Sequence, residues 1–139
     1  MRWFSSIFRK KINPHKQKLP AFTLRQGKPI PVDDAFLAWT SGNLDEMLKA
    51  VQIKTNLIDR HFLFQSIVTE SYKLRKEEKY RDICIEYSER HLQEFPSIVP
   101  ALKEDMDNCL PTISTFQHYQ RSSLKKTNMK RQSQYAKKL

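Results

Sequence analysis

The chain has 139 residues, with 25 Lys+Arg against 15 Asp+Glu, a net charge of +10 and only 39% hydrophobic residues. That describes one domain with tails. Two glycines leave no Gly-rich phosphate loop or dinucleotide turn, and two cysteines are too few for a disulfide scaffold or a CxxC zinc site. No apolar run approaches the ~18–20 residues of a membrane span, and seven prolines beside two glycines argue against a β-sandwich.

The charge is uneven. Residues 1–32 carry eight Lys/Arg and no acid, and residues 120–139 carry seven and no acid. The body, 33–119, holds the other ten basic residues and all fifteen acids. A nucleic-acid-binding domain should carry its positive charge on a folded face with stacking aromatics; here the foldable part is acidic.

At the start, MRWFSSIFRKK places Trp3, Phe4, Ile7 and Phe8 at helical spacing with Arg2, Arg9, Lys10 and Lys11 around them. This short basic amphipathic pattern suits an anionic membrane surface or a partner's groove, or else covers the protein's own core. It is not a secretory signal, because a basic cluster stands where a cleavage site should be. Pro14, Pro20, Pro29 and Pro31 each disfavour helix at the preceding residue, so 12–32 reads as an extended, irregular linker.

From Asp33 the pattern turns helical. Two short helices are expected near 34–41 and 43–52, with Asp33 or Asp34 as the first cap, Gly42 as the left-handed stop, and Asn43 with Glu46 as a capping box. Asn56 caps a longer helix over about 57–76. A second, 78–95, follows the KEEK turn and stops at Pro96. The facing stripes place Trp39, Leu48, Phe62, Leu63, Ile67, Tyr80, Ile83, Cys84, Tyr87 and Leu92 in the core. Ser66, Glu70 and Lys73 form a polar stripe on the other side of the 57–76 helix. No stretch alternates as a strand does, so the expected class is all-α.

The stretch SYKLRKEEKYRDICIEYSERHLQEFP, with Tyr72, Tyr80, Ile83, Cys84, Tyr87, Leu92 and Pro96, resembles a tetratricopeptide repeat. The departures are Glu77 and Glu78 where the family has a glycine, an interval from Tyr72 to Tyr80 about two residues longer, and Cys84 in place of alanine. The resemblance covers 60–96 best and 34–53 loosely. It implies stacked antiparallel hairpins, a short α-solenoid with a concave face that binds a protein or peptide, and Ser66, Glu70 and Lys73 facing that groove.

Residues 120–139 show no apolar period and no acid, which reads as a disordered basic tail. A second reading comes from codons: in the frame displaced by two bases, plausible codons give ALVLEKDEYETAIAVCEKA, similar to a tetratricopeptide helix pair. Gln134-Tyr135 then allows only Ile or Val, and Asn128-Met129 only Tyr or His. On this reading the tail is a frameshift product beginning near Tyr119, 97–110 is an interruption between repeats, and 111–119 is an uncovered edge prone to self-association.

His15, His61, His91 and His118 form no HExxH and no close pair with a cysteine. Cys84 and Cys109 read as reduced, semi-buried thiols, and the acidic runs lack the glycine and spacing of a calcium loop. No catalytic residue, cofactor or metal is expected. The chain reads as a cytoplasmic, non-enzymatic adaptor; the alternative is a nucleic-acid- or membrane-surface-associated protein acting through its basic arms. Salt dependence separates the two.

Overall fold

Three expected caps set the helical body. In the computed structural model, which describes residues 21–138, the Asp33 carboxylate accepts from the Phe36 N–H at 2.9 Å and opens helix α1, Asp34–Ser41. Gly42, at φ 72°, closes it in the left-handed conformation that costs glycine least. The Asn43 side chain then accepts from the N–H groups of Asp45 and Glu46 and opens α2, Leu44–Ala50. Asn56 caps α3, Leu57–Lys73, through the Asp59 N–H. Helices α4, Glu78–Asp105, and α5, Ser114–Lys138, follow. Trp3, Phe4, Ile7 and Phe8 lie outside the described residues.

The described chain is mostly helical, with a departure from all-α at its start. Residues 22–31, expected to be irregular, form an antiparallel hairpin of β1, Phe22–Arg25, and β2, Lys28–Pro31. Gln26 and Gly27 both have positive φ, 53° and 74°, the geometry of a two-residue hairpin turn. The prolines mislead here. Val32 donates to the Ala21 carbonyl, which makes Thr23–Ile30 and Arg25–Lys28 the hydrogen-bonded pairs. Pro29 and Pro31 then fall at the alternate positions, where no ladder N–H is needed.

The hairpin is held to the helices by polar contacts. Arg25 Nη2 donates to Asp59 Oδ1 at 2.8 Å, Trp39 Nε1 donates to the same oxygen at 3.2 Å, and Asn56 Nδ2 donates to Oδ2 at 2.5 Å. At the turn, the Gln26 N–H donates to Asp105 Oδ1 at 2.6 Å and Gln26 Nε2 to Glu104 at 2.8 Å. The hairpin thus spans the start of α3 and the end of α4.

Helix α4 does not stop at Pro96. It continues through Pro96 and Pro100 to Asp105, although an interior proline forfeits a hydrogen bond and costs about 3 kcal/mol. Both prolines sit on the exposed side. The opposite side carries Ile98, Ala101 and Leu102, packed with Ile58 of α3 into an apolar cluster flanked by Phe62, Phe95 and Met106. Burying two large aliphatic side chains, worth about 1.5–3 kcal/mol each, works against the cost of the two prolines in this segment.

Helix α3 is central and packs against α1, α2, α4 and α5. The main cluster contains Ala35, Ala38, Met47, Val51, Leu63, Phe64 and Ile67. Of the ten expected core residues, Leu63, Ile67 and Cys84 are fully buried, and the other seven are half-buried. Phe64, Ile58 and Ile98 take the deep positions instead.

The expected irregular tail is helical to Lys138. The tail contains neither glycine nor proline, and two of the residues through which α5 meets α4 are small and polar, so they leave no apolar period. Thr115 and Ser122, seven residues apart, are both buried. Of the segment 97–110, expected to interrupt the repeats, residues 97–105 belong to α4.

Candidate functional site

Two of the three groove residues read from the sequence come together. Ser66 and Glu70, one turn apart on α3, line a cleft of about 220 Å³ with Trp39 and Thr40 of α1, Gly42, Met47 of α2, and Gln65 and Thr69. Lys73 does not line it. Its ammonium donates to Glu70 Oε1 at 2.9 Å from an exposed position, where such a pair contributes little to stability. Gln65 Oε1 is buried and has no donor among the described residues. Trp39 cannot supply one, because its N–H is committed to Asp59 and its ring stacks on Phe62 with centroids 5.0 Å apart.

A second polar arrangement, absent from the sequence reading, lies between α3, α4 and α5. His61 Nδ1 and His91 Nε2 are 2.8 Å apart, and His91 Nδ1 is 2.9 Å from the Thr115 hydroxyl. Both rings are buried, at 0% and 1% exposure. Burial pushes His61 down to about 4; burial, together with the neighbouring His61, pushes His91 down to about 3. Both are therefore neutral at neutral pH. At that burial they form an internal hydrogen-bonded chain. Of the ring nitrogens in this hydrogen-bonded pair, His61 Nε2 has no partner among the described residues. The pair spans thirty residues and two helices, and no spacing rule announces it.

Along the same seam the Cys84 thiol lies 3.5 Å from the Ser122 hydroxyl and 3.7 Å from the Val68 carbonyl. Cys84 is buried and Cys109 exposed, which corrects the expectation of two semi-buried thiols. His118, lowered by burial and then by the cations Arg121 and Arg75, stacks on Tyr72 at 4.0 Å. The Tyr119 hydroxyl donates to Glu89 at 3.2 Å. The expected apolar edge over 111–119 reduces to an exposed Phe116, whose ring meets Phe95 edge-on at 5.6 Å.

Among the described residues no three His, Cys, Asp or Glu side chains gather as metal ligands do, and no helix is long and apolar enough to cross a membrane. No family model, characterised protein or solved structure matches the chain.

Proposed function

We propose that the chain is a non-enzymatic, tetratricopeptide-like interaction module that holds a peptide segment of a partner protein in the cleft of α1, α2 and α3. The observation that carries this reading is the convergence of Ser66 and Glu70, chosen from the sequence as groove-facing, with Gln65, whose buried carbonyl oxygen has no donor among the described residues. An unmet acceptor costs free energy that a ligand N–H recovers. The cleft, at about 220 Å³, is below the usual ~300–1,000 Å³ of small-molecule sites; it suits one or two side chains of a peptide. Glu70 favours a basic side chain there, once that side chain displaces Lys73. Helix α5 packs on both α3 and α4, the arrangement a third helix takes in a hairpin array. The reading places the chain in the cytoplasm, where an exposed thiol such as Cys109 stays reduced.

A displayed peptide library screened on the full chain tests the proposal. Enriched peptides should carry a basic residue and lose about tenfold or more in affinity on Glu70→Lys, the scale of one charge-assisted contact. Enrichment of no sequence, or equal binding by Glu70→Lys and Ser66→Trp variants, overturns it.

A second reading rests on α5 itself. This helix carries seven Lys/Arg and no acid, and Lys125, Lys130, Arg131 and Lys137 are exposed. Nucleic-acid binding through it should collapse between low and moderate salt and disappear when these four become glutamine.

A further inference from the structure

Arg81 is a buried cation without a counter-ion. It is only 5% exposed, yet among the described residues no carboxylate lies within 4.0 Å of it. Its Nη1 is 3.2 Å from the Met129 sulfur, a weak acceptor, and its Nη2 donates to the Lys76 carbonyl at 3.3 Å. Its Nε–H is buried and has no partner among the described residues. A guanidinium held out of water in this way is costly unless an anion completes it.

Arg81 lines a cleft of about 280 Å³ between the first turns of α4 and the outer half of α5. The cleft brings together Lys76, Arg81, Lys126 and Lys130 against Glu78 and Asp82, an excess of two positive charges, with the Ser133 side chain at its edge. Lys126 is committed to Asp82 at 2.8 Å, and among the described residues Lys130 has no such partner. The cleft also opens on a helix start. Glu77, the residue before α4, makes no side-chain cap, so the first-turn N–H groups add their dipoles to the positive field.

We infer that this cleft binds a dianionic phosphate group, held by the Arg81 guanidinium and Lys130. The charge excess matches a dianion, and the planar guanidinium fork suits phosphate oxygens. The volume, about 280 Å³, lies just below the usual ~300–1,000 Å³ of small-molecule sites, which favours a free phosphate or a small phosphomonoester over a whole nucleotide. The site shares no residue with the peptide cleft and does not depend on it.

Calorimetric titration of the full chain with inorganic phosphate, and separately with glycerol phosphate, tests the inference at constant ionic strength. Each should give saturable one-to-one binding, with the monoester at least as tight as the free ion. The Arg81 Nε–H resonance should shift on saturation. Lys130→Gln, at an exposed position, should weaken binding about tenfold, the scale of one charge-assisted hydrogen bond. Should Arg81→Gln fail to fold, Lys130→Gln and the Arg81 resonance still decide. The inference is overturned by heat that chloride reproduces, by unchanged affinity in Lys130→Gln, or by binding seen only with a single-stranded oligonucleotide. The last outcome would assign the charge to the open face of α5.

Discussion

His61 and His91, thirty residues apart on α3 and α4, share a hydrogen bond of 2.8 Å beneath α5, with Thr115 closing the chain at 2.9 Å. The pair joins three helices by two bonds, and the bond between the rings is lost once both are protonated, when neither nitrogen can accept. Each ring has two nitrogens, so a neutral ring both donates and accepts.

Acid should therefore weaken the fold in a defined window. Both folded-state values lie below the usual 6.5, at about 4 and about 3. The unfolded chain takes up protons first, so stability is full above about pH 6.5 and falls as pH drops towards 4. The slope should reach up to about 1.4 kcal/mol per pH unit for each histidine. Urea melts of the wild type and of His61→Gln/His91→Gln between pH 7 and pH 4 check this. The double variant should be less stable at pH 7 but flatter across the window; an equal slope in both would remove the pair as its cause.

Asp59 acts at lower pH and by the opposite sign of shift. Burial alone would raise its carboxyl, but hydrogen bonds from Arg25, Asn56 and Trp39, with the Arg25 charge, hold it below 3.8. Its contribution is present above that value and lost as pH falls through the lower folded one. Asp59→Ala leaves three donors unmet, one of them the partly buried Arg25 cation. A loss of about 3–5 kcal/mol is expected, with release of the β1–β2 hairpin seen as faster amide exchange at Thr23 and Ile30.

The caps and helix starts were legible because each depends on one local residue: Asp33, Gly42, Asn43 and Asn56. The hairpin was not, because its strands are four residues long and two of its positions are proline. Nothing local distinguishes a proline at a ladder position from one at the alternate position; register decides. Pro96 misled in the other direction, since the apolar residues that carry α4 past it, Ile98 and Leu102, act only when Ile58 lies opposite. The polar stripe that carries Ser66 and Glu70 was legible because it has the helical period. Arg81 and the histidine pair were not, since their environment comes from α5, whose contact side is Thr115, Ser122 and Met129. Whether 120–139 arises from a displaced frame is decided by the nucleotides that encode it.

The course of α4 beyond Pro96 can be checked by truncating one side chain. Leu102 is fully buried, whereas Leu110 is 45% exposed. Leu102→Ala should destabilise by about 2–5 kcal/mol, and Leu110→Ala by no more than about 0.5 kcal/mol. Similar small losses for both would mean that α4 ends near Phe95 after all.

The packing of α5 across Tyr119 can be read from the two thiols. Cys109 is exposed, whereas Cys84 lies buried at 3.5 Å from Ser122. An aromatic disulfide reagent needs direct access to the sulfur, and burial in apolar surroundings also disfavours the reactive thiolate. The native chain should therefore react rapidly at one thiol per molecule and reach the second only on the timescale of local opening. Ser122→Trp cannot fit a side chain that is 1% exposed, so it should lift α5 and bring Cys84 into the fast phase. Cys109→Ser, which removes the exposed thiol, should leave the native protein with no fast phase at all. Two fast thiols in the unaltered protein would show that α5 does not rest on Cys84, and the seam from Thr115 to Met129 would fall with it.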